Sequence, residues 1–166
     1  REIGLNHLSI SKSINSFKCL PHRLEYLGKK DKLNFYNDSK ATNFDSSLTA
    51  LLSVDSPIVL LAGGKRKEGD FIKWIAQLKQ STNGIVLYGS SAKDLKGKIL
   101  RSSYKGELNV KENLEDATKA SIEIAKKTNS RIILLSPACA SFDQYKNYEE
   151  RGDHFRKLVQ EYGIIK

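Results

Sequence analysis

Four short apolar runs, rich in β-branched residues, constrain this chain more than any other feature: Leu33–Tyr36, Ile58–Leu61, Ile85–Tyr88 and Ile132–Leu135. A strand without a wet face belongs inside a parallel sheet covered by helices on both sides. Leu24–Leu27 and Tyr104–Val110 alternate instead, which suits edge strands. Segments of helical period lie between them. Phe44, Leu48, Leu51 and Leu52 share one stripe, with Thr42 and Asp45 as a start signal. Phe71, Ile75 and Leu78 follow a candidate Asp70 cap, and Leu95 with Ile99 mark a shorter helix. Leu114, Ala117, Ser121 and Ile124 form a fourth stripe, and Phe155, Leu158, Val159 and Tyr162 a fifth that Gly163 ends. Ile10, Ile14 and Phe17 suggest an additional helix before Pro21. The succession of elements predicts a doubly wound, mostly parallel, Rossmann-like α/β sheet of about six strands, with helices on both faces.

A length of 166 residues suits one domain, and Cys19-Leu20-Pro21 is the expected linker. The division expected is 1–20 as the end of a preceding domain and 21–166 as the folded unit. The sequence contains no methionine and begins at Arg1, so the chain is expected to be a segment of a longer protein. No apolar run reaches the ~18 residues of a membrane span, and no signal-peptide pattern opens the chain. A cytoplasmic location without membrane partners is expected. Two cysteines, Cys19 and Cys139, cannot make a disulfide framework, or a four-ligand zinc site without help from His or Asp. The net charge of +9 raises the question of nucleic acid, but the lysines are dispersed as singles and pairs without an interleaved aromatic platform. A solvated basic surface that attracts small polyanions is expected, with no nucleic-acid partner.

Open α/β sheets bind ligands beyond the carboxyl ends of their strands. The polar clusters of this sequence fall there: Asn37–Asn43, Gly63–Lys67, Gly89–Ser91 and Ser136–Asp143. Each mixes small residues, which let backbone approach a ligand, with hydroxyls or charges that could orient one. Asp38 and Thr42 could equally serve as helix-start residues, and Lys67 as a solvated loop lysine. His22 with Arg23 reads either as a ligand-facing pair or as a satisfied turn. His7 and His154 read as surface residues. Cys139, set among small residues after a buried strand, reads as a packed, inert thiol. There is no G-x-x-x-x-G-K-[ST], no G-x-G-x-x-G and no H-E-x-x-H, so a self-contained phosphate-handling or metal enzyme is not expected.

Leu20-Pro21-His22-Arg23, Asn37-Asp38-Ser39-Lys40-Ala41-Thr42-Asn43, Leu61-Ala62-Gly63-Gly64 and Leu135 through Gly152 together resemble the carboxy-terminal domain of the Mur ligase family. The Asp38–Asn43 string is similar to the D-glutamate-adding branch rather than to its sister ligases or to folylpolyglutamate synthases. The resemblance runs from Phe17 onward. It implies a three-domain, ATP-dependent, amide-forming enzyme of peptidoglycan synthesis. UDP-N-acetylmuramoyl-L-alanine would be held by an amino-terminal domain, and ATP with Mg2+ mainly by a central domain carrying the P-loop. The carboxylate of that substrate would be phosphorylated, and the amine of D-glutamate would then attack the acyl phosphate. By the same resemblance Thr42, Lys67, Ser141 and Tyr148 bind D-glutamate, Arg23 and Asp38 contact the ATP ribose side, and Lys40 lies near the nucleotide. No catalytic residue and no metal ligand is expected within this chain, which alone is expected to be inactive. Three positions depart from the family pattern: Cys19 for a hinge glycine, Lys65-Arg66 before Lys67 for a less basic loop, and Tyr148 for a phenylalanine. A stand-alone nucleotide-binding module of the same fold is the alternative, and would leave the ordered motifs unexplained.

Overall fold

The computed structural model describes residues 6–16, 20–66 and 68–163. Six strands form one sheet: β1 (Glu25–Lys30), β2 (Leu33–Asn37), β3 (Ile58–Gly63), β4 (Thr82–Tyr88), β5 (Glu107–Val110) and β6 (Ile132–Leu135). The helices are α1 (His7–Ser16), α2 (Phe44–Ser53), α3 (Ile72–Ser81), α4 (Ala92–Arg101), α5 (Leu114–Lys127) and α6 (Tyr148–Glu161). The strand order is β1-β2-β6-β3-β4-β5, with β1 antiparallel to β2 and every other pair parallel. The doubly wound, mostly parallel sheet expected from the sequence is present.

Every residue of β3 and β6 is buried, which is why those runs carry no alternation. α2, α3 and α4 cover one face, with Leu51, Trp74, Leu78, Leu95 and Ile99 against Leu60, Ile85 and Leu87. α5 and α6 cover the other, with Leu114, Ala117, Phe155 and Val159 against Phe35, Val59, Val86 and Ile133. Burying one such aliphatic side chain contributes roughly 1.5–3 kcal/mol. The β1–β2 turn at Asp31 and Lys32 has positive φ at both residues (51° and 69°), the twist that matches a two-residue hairpin.

Local details depart from the sequence reading. The cap of α2 is Asn43, whose side chain accepts the Ser46 N–H, rather than Thr42. Both residue types cap well, and the asparagine stands one position nearer the first turn. Leu52 leaves the apolar stripe and is 66% exposed. Asp70 does accept a backbone N–H at the start of α3, that of Ile72 (2.8 Å). The last edge strand is confined to Glu107–Val110; Tyr104 lies before it, its hydroxyl bound to Thr82. In α1 Ile10 is exposed, whereas the side chain of Ile14, all of Phe17 and Cys19 lie outside the described residues.

Candidate functional site

β6 enters the sheet between β2 and β3, yet its following helix packs on the face opposite α2 and α3. The chain therefore leaves neighbouring strands in opposite directions at their carboxyl ends. This opens a crevice at a topological switch point, where such sheets bind ligands. The segments after β2, β3, β4 and β6 meet there. Lys65 N–H donates to the Ala140 carbonyl (2.8 Å) and Ala140 N–H donates back to Lys65 (3.0 Å). That approach needs glycine at position 64: its φ is 128°, and a Cβ would overlap the Ala140 oxygen. The Ser90 hydroxyl and Ser91 N–H both donate to the Gly64 carbonyl, while Ser90 N–H donates to Asp143 (2.9 Å).

The residues matched to the nucleotide side come together. Arg23, Asp38 and Lys40 line one cavity of about 410 Å³, with Thr42, Asn43 and Ser46 on the same wall. Asp38 is only 7% exposed and is engaged across the sheet rather than as a helix cap. Its Oδ1 accepts the Leu24 N–H (3.1 Å) and its Oδ2 the Ser136 hydroxyl (2.8 Å). Burial raises its pKa from 3.8 to about 6, against the lowering effect of those two bonds and of the nearby Arg23 charge. Each carboxylate oxygen keeps a second lone pair for a ligand hydroxyl. A larger cavity of about 660 Å³ lies around Lys79, Thr82 and Tyr104, at the amino ends of β4 and β5. It contains none of the matched residues and lies on the side where such sheets do not bind ligands.

Of the residues matched to the amino-acid side, Thr42, Ser141 and Tyr148 stand on segments that meet at this crevice without sharing one wall. Thr42 faces the same cavity as Lys40. Ser141 is 2% exposed in the segment after β6, where its carbonyl accepts the N–H groups of Gln144 and Tyr145. Tyr148 is the first residue of α6, behind the Asn147 cap. Its carbonyl accepts the Ser39 hydroxyl (2.8 Å), and its ring lies 3.8 Å from the Lys40 ammonium. Lys67 lies outside the described residues. Its neighbour Arg66 pairs with Asp94 (3.7 Å), and Lys65 is fixed by the bridge to Ala140.

Other candidates are resolved by their surroundings. His22 is 6% exposed, with Nδ1 3.0 Å from the Asn37 amide and Nε2 3.7 Å from Asp153, so it is a satisfied turn residue. His154 contacts the Tyr145 hydroxyl (2.7 Å). Cys139 is buried 3.4 Å from the Ser91 hydroxyl, and burial pushes its thiol pKa up, away from nucleophilic chemistry.

Sequence reasoning missed Arg151. Its guanidinium is fully buried and donates to the Ser39 hydroxyl (2.9 Å), the Ser39 carbonyl (2.8 Å) and the Cys139 carbonyl (3.1 Å). It thereby ties the Asp38–Thr42 segment to the Cys139–Ser141 segment. Among the described residues no carboxylate pairs with it. The available signal was its position four residues before Phe155, on the inward stripe of α6. The Tyr88 hydroxyl, also buried beside this network, lacks a hydrogen-bond partner among the described residues, and burial drives its pKa well above the ordinary value.

Among the described residues no group of three or more His, Cys, Asp or Glu side chains could hold a metal ion. No helix of the described residues is long and apolar enough to cross a membrane.

The chain is 70% identical over 166 residues to the UDP-N-acetylmuramoylalanine–D-glutamate ligase of Prochlorococcus marinus, covering 100% of this chain and 35% of that protein. The ligase of the same description from Rippkaea orientalis is 43% identical over 160 residues, covering 96% and 35%. The chain thus spans about a third of the length of the curated relatives it matches. Among solved structures, Mycobacterium tuberculosis folylpolyglutamate synthase complexed with ADP and AMPPCP shares the fold at a TM-score of 0.64 and 14% identity, covering 92% of this chain and 36% of that one. The family model described as Mur ligase, glutamate ligase domain, matches residues 22–139, and the chain belongs to that family.

Proposed function

We propose that this chain is the carboxy-terminal domain of a cytoplasmic, ATP-dependent ligase that adds D-glutamate to UDP-N-acetylmuramoyl-L-alanine in peptidoglycan synthesis. The observation that carries the reading is the shared cavity of Arg23, Asp38, Lys40 and Thr42 at the switch point, next to the segments that hold Ser141 and Tyr148. Residues 1–20 would end the preceding domain and 21–166 would form the glutamate-binding unit. Arg23 and Asp38 would meet the ribose side of ATP, with Lys40 near the nucleotide. Thr42, Lys67, Ser141 and Tyr148 would hold D-glutamate, whose two carboxylates call for a cation and several donors on rigid strand ends. Mg2+ would be bound by the central domain, where it would neutralise phosphate charge.

The contribution of this chain is then positioning. Holding the D-glutamate amine against an acyl phosphate made in the central domain is a proximity effect worth up to ~7–11 kcal/mol when well oriented. Closure over the crevice would exclude water, which would otherwise hydrolyse the acyl phosphate.

The test is phosphate release by the intact protein with ATP, Mg2+ and UDP-N-acetylmuramoyl-L-alanine. Release that depends on D-glutamate and not on L-glutamate is expected. Release driven by L-glutamate or by another amino acid instead would overturn the reading.

A further inference from the structure

Lys40 and Tyr148 stand on different segments yet touch. Lys40 follows β2 and lines the cavity with Arg23 and Asp38, whereas Tyr148 opens α6. The Lys40 Nζ sits 3.8 Å from the centroid of the Tyr148 ring, well inside cation–π range. The adjacent Ser39 donates its hydroxyl to the Tyr148 carbonyl (2.8 Å). Two consecutive residues of one segment thus grip two parts of a single residue in the other. The ring is also braced by the edge of His22, with centroids 6.3 Å apart and planes at 76°.

We propose that Tyr148 is a positioning residue for Lys40: its ring docks the lysine ammonium at the boundary between the nucleotide-side cavity and the start of α6, so that the two halves of the crevice are energetically coupled. The identity of the two ligands rests on the function proposed above; the coupling rests on the contact itself. A lysine head on a flexible four-carbon stem samples many positions, and an aromatic face that restricts it leaves less ordering to be done when an anionic ligand arrives. Phenylalanine would supply the same face.

The experiment is a double-mutant cycle in the intact ligase, with KM for ATP, KM for D-glutamate and kcat measured for Tyr148→Leu, Lys40→Met, the double variant and Tyr148→Phe. Tyr148→Leu is expected to raise KM for ATP roughly two- to fivefold, the range of an exposed cation–π contact. In the Lys40→Met background the same substitution is expected to leave KM for ATP unchanged, and Tyr148→Phe is expected to recover most of the ATP effect. A Tyr148→Leu defect confined to D-glutamate, or ATP effects that simply multiply in the double variant, would overturn the coupling and leave the proposed function standing. If wild type shows no D-glutamate-dependent turnover, the functional reading falls, and the coupling is decided by Kd for AMPPCP in wild type, Tyr148→Leu, Lys40→Met and the double variant: non-additive values support it and additive values overturn it. Should Tyr148→Leu fail to fold, Tyr148→Gln replaces it at this half-exposed first helical position.

Discussion

Asp38→Asn separates the cost of the candidate ribose carboxylate from its use. The carboxyl titrates near 6 in the folded chain against 3.8 ordinarily, because it is only 7% exposed. Between about pH 4 and 6 the native state therefore holds a proton that the unfolded chain has already lost. Its contribution to stability is fully present below about pH 4 and disappears as pH rises through 6. A shift of about two units, at ~1.4 kcal/mol each, means that ionised Asp38 costs roughly 3 kcal/mol of stability at pH 7. An asparagine keeps the geometry: its oxygen can accept the Leu24 N–H, and its amide can donate to the Ser136 hydroxyl. Urea unfolding of the 166-residue chain from pH 4 to 8 is the assay. Wild type and Asp38→Asn should be nearly equal at pH 4, and the variant more stable by up to roughly 3 kcal/mol at pH 7. A difference that does not change with pH, or a variant less stable at pH 7, would refute the assignment of a burial-raised carboxyl. The expected result would identify Asp38 as a group kept at the expense of stability, as binding groups often are.

Three further outcomes are expected. Gly64→Ala should lower stability by at least ~2 kcal/mol, since φ of 128° and the Ala140 carbonyl both reject a side chain; an unchanged thermal midpoint would contradict this. In the intact protein Lys67→Ala should raise KM for D-glutamate more than KM for ATP, and Asp38→Ala the reverse; equal effects on both substrates would show the two assignments to be wrong. The 166-residue chain alone should show neither ATP hydrolysis nor amide formation, and measurable ligase turnover by it would overturn the view that it positions substrates for chemistry done elsewhere.

Much of the sheet was legible because burial on both faces removes alternation. Ile58–Leu61 and Ile132–Leu135 are as buried as their composition requires. What their composition could not reveal is neighbourhood. β6 pairs with both β2 and β3, and that insertion, visible only in three dimensions, creates the crevice. The start of α2 was readable to within one residue: Thr42 and Asn43 are both capping types, and only backbone geometry selects Asn43. Leu52 was misjudged because an apolar residue at the margin of a stripe can face either way, whereas Arg151 was overlooked because a charge on a helix is usually solvated. Its burial becomes intelligible only once Ser39 and Cys139 present their carbonyls to it. The site residues were reached through ordered motifs. Spacing alone left Asp38 and Thr42 ambiguous, and the cavity they share depends on segments far apart in sequence.

In the proposed function one crevice at this switch point receives ATP on one side and D-glutamate on the other. A crystal structure of the intact protein with an ATP analogue and D-glutamate tests this most directly. The account predicts the ribose hydroxyls within hydrogen-bond distance of Asp38, and D-glutamate carboxylate oxygens within reach of Thr42, Lys67 and Ser141. D-glutamate seated away from these side chains, or the nucleotide in the cavity around Tyr104, would contradict it.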